Sequence, residues 1–166
     1  MSTGTLKVTT PTDRDIAMTR VFDAPRALVF DALTRPEYLK RWLLGPDGWA
    51  LTTCEVDLRP GGAIRYVWEH RDGRSMGMRG VYREVVTPER TVATEQFDDP
   101  WYEGEAVATN TLIEARGQTT LTMLVRYDSK AIRDAVLKSG MERGVEVSCD
   151  RLADLLKTSG VVLRKA

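Results

Sequence analysis

Phe22-Asp-Ala-Pro-Arg-Ala-Leu-Val-Phe-Asp-Ala-Leu-Thr-Arg-Pro-Glu-Tyr-Leu-Lys-Arg-Trp42 decides the reading of this chain. In one short run it holds the exit of a strand, a proline-started helix and a second capped helix. Upstream, Asp15 to Phe22 reads as a strand with Ile16, Met18 and Phe22 on one face. Pro25 suits the first helical position, where a missing N–H costs nothing, and Leu28, Val29, Ala32 and Leu33 give that helix its buried stripe. Thr34-Arg-Pro36-Glu37 combines a capping-box pattern with proline in the first turn, which predicts a second helix through Tyr38, Leu39 and Trp42. Gly45-Pro46-Asp47-Gly48 stops it. A strand, two short helices and then a long run of strands predicts an architecture built around a cavity, with the helices bounding one end.

From Trp49 to Tyr127, turn signals recur at short intervals. Strands are predicted over 50–58, 63–70, 77–86, 91–97, 105–114 and 119–127. The breaks carry Pro60-Gly61-Gly62, Asp72-Gly73, Pro88, Asp98-Asp99-Pro100 and Arg116-Gly117. Short connections and period-two alternation predict an antiparallel meander. Thr52, Cys54, Val56 and Leu58 share one face of their strand, and Ile64, Tyr66, Trp68 and His70 share one face of the next. Met76, Met78, Gly80 and Tyr82 form a third such row, and Leu121, Met123, Val125 and Tyr127 a fourth. One side of the sheet is thus apolar and aromatic, the other polar. A long helix over 129–158 closes the chain, with Leu137, Met141, Val145, Ser148, Leu152 and Leu155 on its inner stripe. Glu142, Arg143, Glu146, Asp150, Asp154 and Lys157 fall on its far side. Residues 1–14 read as a flexible or edge-strand lead-in, 15–158 as a single domain and 159–166 as a tail.

With 166 residues, the chain is long enough to bury roughly two-thirds of its unfolded surface in one core. Lysine plus arginine equals aspartate plus glutamate at 24 each, so no global field steers nucleic acid or an anionic membrane, and no nucleic-acid partner is expected. No apolar run approaches the roughly 20 residues needed to span a bilayer. Met1 to Arg20 lacks a basic region followed by an apolar core, so a cytoplasmic location is expected. Cys54 and Cys149 have no nearby cysteine partner and read as reduced structural thiols.

Arg20-Val-Phe-Asp-Ala-Pro-Arg26, Leu33-Thr-Arg-Pro-Glu37, Trp42 and Asp57-Leu-Arg-Pro-Gly-Gly62 recur as a set in one group of proteins. Gly80-Val-Tyr-Arg-Glu-Val85, Pro88-Glu-Arg90 and Gly140-Met-Glu-Arg-Gly144 complete the set. On these motifs the chain resembles the START-like (SRPBCC) superfamily, and within it the homologues of the heat-shock-protein ATPase activator's C-terminal domain. The resemblance implies an α+β helix-grip fold, in which a curved antiparallel sheet wraps around a long C-terminal helix with two short helices after the first strand. It also implies either a cavity ligand or a chaperone partner. Resembling proteins often carry tryptophan where this chain has Val145, and the smaller side chain enlarges the space beneath the helix or changes what fills it.

His70 is the single histidine and lies beside the Asp72-Gly73 turn, which reads as a surface hairpin position. With Cys54 and Cys149 on separate elements, no metal site is expected. No nucleophile elbow, phosphate-binding loop or dinucleotide fingerprint is present, so no cofactor is expected. Tyr66, Trp68, Tyr82, Asn110 and Ser148 each place a polar group on the expected inner face, as core-filling residues or as directional partners for a ligand. Met78, Phe97, Met123, Met141 and Val145 join them as a lining, the methionines pliable enough to fit varied shapes. Arg20 and Glu95, if both inside, are expected to pair. Trp101 and Tyr102 are candidates for a cavity lid, a partner-binding tip or a loop tucked onto the core. The leading expectation is a binder of a small hydrophobic or amphipathic molecule. The alternatives are a chaperone-regulating interaction module and an enzyme of the cyclase, hydrolase or dehydratase kind.

Overall fold

A computed structural model describes residues 5–100, 102 and 104–158. It contains β1 (Lys7–Thr9), β2 (Asp15–Phe22), α1 (Arg26–Thr34), α2 (Pro36–Trp42), β3 (Trp49–Val56) and β4 (Ala63–His70). These are followed by β5 (Ser75–Val86), β6 (Arg90–Phe97), β7 (Ala106–Ala115), β8 (Gln118–Arg126), α3 (Lys130–Lys138) and α4 (Met141–Lys157). The strands form one curved antiparallel sheet in the order β1-β2-β8-β7-β6-β5-β4-β3. This is the α+β helix-grip fold, as the motifs implied.

Hairpins account for every strand pair from β3 through β8, because short turns can join only antiparallel neighbours. The exception is β2, which pairs along its whole length with β8, from Asp15 opposite Arg126 to Phe22 opposite Thr119. Asp15 and Arg126 reinforce that register with two contacts, of 2.9 and 3.2 Å. The helices between β2 and β3 are joined tightly: the Trp42 indole N–H donates to the Ala32 carbonyl at 2.9 Å.

Both helix starts differ from the sequence expectation. Pro25 is the extended residue just before α1, not its first member. Thr34 remains in α1 and donates its hydroxyl to the Phe30 carbonyl at 2.8 Å, so it is not available to cap α2. Arg35 occupies the cap position, and Glu37 instead accepts from the Arg35 guanidinium at 2.8 Å. The capping box is therefore not made. Pro36 still starts α2, since its fixed φ is already helical.

The closing helix is also two helices. Gly140 adopts left-handed backbone at φ 83°, which ends α3 after Ser139, and α4 departs from it. In β3 a bulge between Leu51 and Thr53 shifts the alternation, so Leu51 and Cys54 are buried while Thr52 and Leu58 face solvent. Gly80 allows close approach of β5 to β6: a Cβ there would collide with the Thr94 carbonyl.

The second half of α4 is seated on the sheet through Ser148, Cys149, Leu152, Ala153 and Leu155, all buried. Arg20 on β2 is 1% exposed and reaches Asp150 at 2.8 Å, with its guanidinium 5.7 Å from the Phe22 ring centre. Asp150 therefore does not belong to a purely solvent-facing side of the helix.

Leu152→Ala removes a fully enclosed side chain and is expected to cost about 2–5 kcal/mol, read as a lower urea midpoint. Val147→Ala, on the exposed side of the same helix, should change stability by about 0.5 kcal/mol or less. Equal losses at the two positions would contradict this seating.

Candidate functional site

A cavity of about 580 Å³ lies between the sheet's inner face and the helices. Its floor is built by strand alternation: Tyr66 and Trp68 on β4, Phe97 on β6, Asn110 on β7, and Met123 and Val125 on β8. Register brings these together, with Asn110 opposite Met123 and Ala108 opposite Val125. Met141, Val145 and Ser148 of α4 form the roof. Leu33, Leu39 and Trp42 from the two short helices close one end. Met76, 45% exposed, and Asp99 stand at the rim.

Eight of the ten residues singled out from sequence line this space: Tyr66, Trp68, Phe97, Asn110, Met123, Met141, Val145 and Ser148. Met78 and Tyr82 do not. They are buried around a second space of about 70 Å³, which shares Tyr66, Glu95 and Asn110 with the first. Of the two readings open for Trp68, a core-filling residue and a directional partner for a ligand, its N–H follows the first, since it donates to the Leu43 carbonyl at 2.9 Å. It therefore offers only its ring. Tyr102 lines the cavity and packs edge-on against Tyr127, ring centres 5.7 Å apart, whereas Trp101 lies outside the described residues. His70 is largely covered rather than superficial: its ring meets Trp49 edge-on at 5.2 Å, and its Nδ1 lies 2.9 Å from Asp72.

Glu95 is the residue that sequence reading undervalued. It sits on the inner face of β6 beside Ala93 and Phe97, and it borders both spaces. The expected Arg20–Glu95 pair does not form, because Arg20 is engaged by Asp150. No described residue forms a hydrogen bond or ion pair with the Glu95 carboxylate. Burial raises its pKa above the usual glutamate value. Burial likewise pushes the phenols of Tyr82 and Tyr102 up to about 12, and those of Tyr66 and Tyr127 upward. The negative charge of Glu95 adds to the shift at Tyr66, Tyr102 and Tyr127, which places all three within its electrostatic reach. Period-two spacing from Thr91 through Ala93 was the available signal, obscured because Thr94 is buried too.

Among the described residues lining both spaces, Glu95 and Asp99 are the charged side chains, and no lysine, arginine or histidine is present. Cys54 and Cys149 are free and buried, each thiol pushed up to about 11 by burial. No described group of three or more His, Cys, Asp or Glu is placed to hold a metal. No described helix is long and apolar enough to cross a membrane.

The arrangement is an apolar chamber with one enclosed carboxyl, on a fold known from related chains. The family model of activator of Hsp90 ATPase homolog 1-like proteins matches residues 23–157, and the chain belongs to that family. A crystal structure of a protein from Rhodobacter sphaeroides is similar at 30% identity, covering 93% of this chain and 99% of its own, with a TM-score of 0.89. One from Nitrosomonas europaea has 26% identity, coverage of 91% and 99%, and a TM-score of 0.79. A Silicibacter pomeroyi protein carrying the same family name shares the fold at 20% identity, coverage of 87% and 98%, and a TM-score of 0.69. A search of the curated proteins gave no match.

Glu95→Gln is expected to stabilise the fold at neutral pH. The folded state holds the Glu95 proton to higher pH than the unfolded chain, whose carboxyl titrates near 4.5. The native contribution is thus intact below that value and is lost as pH rises through the raised pKa. The variant avoids this loss, so its advantage should be present at neutral pH and vanish toward about pH 4 in urea titrations. A variant less stable than wild type at every pH would contradict the enclosed, unpaired carboxyl.

Proposed function

We propose that this protein binds a small hydrophobic or amphipathic molecule in the cavity between its sheet and α4. The observation that carries this reading is the 580 Å³ space itself, walled mainly by apolar side chains, aromatic rings and methionines among them. Its size and lining are those of small-molecule pockets, which enclose a ligand in apolar walls and orient it with a few polar groups. Covering about 200 Å² of apolar ligand surface contributes around 5 kcal/mol before the costs of ordering. Useful affinity then needs no catalytic group.

A chaperone-regulating role is suggested by the family's description. Such a role needs an exposed apolar surface. The exposed large apolar residues among those described are Leu58, Met76, Val81, Val86, Ile113 and Val147; Met76, Val81 and Val86 share β5, and the other three lie on separate segments. The cavity is the more specific feature, and a measured change in Hsp90 ATPase rate on adding the protein would shift the balance to the chaperone reading.

Val145→Trp tests the cavity reading. Val145 is half-buried in the roof, so an indole there projects into the space it lines. A naphthalene-type fluorophore that brightens in apolar surroundings should bind the wild type at one site. Its affinity should fall by about tenfold or more in the variant, which should keep its urea midpoint. Equal binding by both proteins, or none by the wild type, would overturn the reading.

A further inference from the structure

The cavity's lining is apolar, but its charge is one-sided. Among the described residues that line it, it holds Glu95 within and Asp99 at the rim, and none is a lysine, arginine or histidine. We propose that the ligand carries a cationic nitrogen on an apolar body, and that Glu95 receives that nitrogen. This inference rests on the cavity-binding reading and adds the chemical class of ligand.

Three observations support it. The first is the missing partner: Arg20, the other charge on the inner face, is turned to Asp150, and Glu95 forms no hydrogen bond or ion pair with a described residue. An enclosed carboxylate without a partner is costly, and a ligand cation supplies the countercharge that the fold withholds. The second is the ring of π systems around it. Tyr66 and Phe97 line the same space, as do Tyr102 and Tyr127, which pack edge-on against each other. Aromatic faces attract organic cations, most strongly where water is excluded. The third is exclusion: a fatty-acid carboxylate entering this space would meet Glu95 and Asp99 and find no cation, so anionic lipids are disfavoured.

The junction of the two spaces fixes the orientation. Glu95 and Asn110 border both, so the nitrogen sits deep, and the apolar body extends beneath Met141 and Val145. The titratable groups that share these spaces with Glu95 are Tyr66 on β4, Tyr82 on β5, Tyr102 after β6 and Tyr127 after β8, phenols already neutral at physiological pH and pushed further up by burial. Cys149 from α4 lines the same space as a neutral thiol. Glu95 is thus the one lining group inside the cavity whose charge changes in the acidic to neutral range. It ionises when the cation arrives, so affinity for a permanently charged ammonium falls as pH is lowered through its raised pKa.

Isothermal titration calorimetry with octyltrimethylammonium, octanol and octanoate tests this on the intact protein. The ammonium should bind about tenfold or more tighter than octanol, and octanoate weakest. Glu95→Gln should lower ammonium affinity by about tenfold while leaving octanol within about twofold, and Asp99→Asn at the rim should change both by about twofold or less. Octanol binding with no ammonium preference, or an ammonium affinity unchanged by Glu95→Gln, overturns the cation inference and leaves the cavity reading standing. Binding of octanoate in preference to the ammonium overturns it also. If none of the three binds, both readings fail.

Discussion

One helix is asked to cover one wide sheet. An eight-stranded sheet at about 4.8 Å per strand spacing is roughly 34 Å across, whereas a helix with its side chains is about 10–12 Å thick. α4 meets that mismatch by seating only its second half. Leu152 is fully enclosed, and the Arg20–Asp150 contact fastens the helix to β2. The first half, from Met141 to Val145, stands over the remaining concave surface and cannot fill it. α1 and α2 close one end, tied by Trp42 to Ala32 and by Trp68 to Leu43. The cavity follows from that geometry, and its lining follows from strand alternation.

Two inner-face charges show how differently the fold treats like problems. Arg20 is buried and matched by Asp150, so its cost is offset within the protein. Glu95 is half-buried against the cavity and unmatched by any described residue, and the loss of solvent around it shows in its raised pKa. A core selected for stability alone would place an apolar residue at position 95. Sites that bind ligands commonly keep such local costs, because the group that destabilises the empty protein is the one that recognises the guest.

Much of the fold was legible in the sequence because it is carried by local chemistry. The bounds of β2 and β4 follow from alternation and turn residues alone, and Pro36 marks the start of α2. What escaped depends on contacts across the chain. The bulge at Leu51–Thr53 is set by pairing with β4 and leaves no residue signature in β3. The break at Gly140 is hidden because Leu137 and Met141 keep helical spacing across it. Thr34 matches a capping pattern but remains helical, since a hydroxyl can also turn back to a carbonyl four residues earlier. Within the site, the lining from β4, β7, β8 and α4 was readable as apolar periodicity. The partner of Arg20 was not, because Asp150 sits where helical spacing predicts solvent. Glu95 was ambiguous for a related reason: Thr94 next to it is buried as well, beneath Gly80, and alternation alone does not distinguish them.

The central claim is that an open, apolar space lies beneath the first half of α4. Methionine-methyl NMR reports on it directly, because Met123 and Met141 line the main cavity while Met78 borders only the small space behind it. Titration with a small apolar probe such as octanol should shift the Met123 and Met141 methyls together, saturably and with one affinity, and move Met78 far less. Methyl signals of Met123 and Met141 that stay fixed throughout the titration would mean that the space is closed to ligands, and would contradict the account.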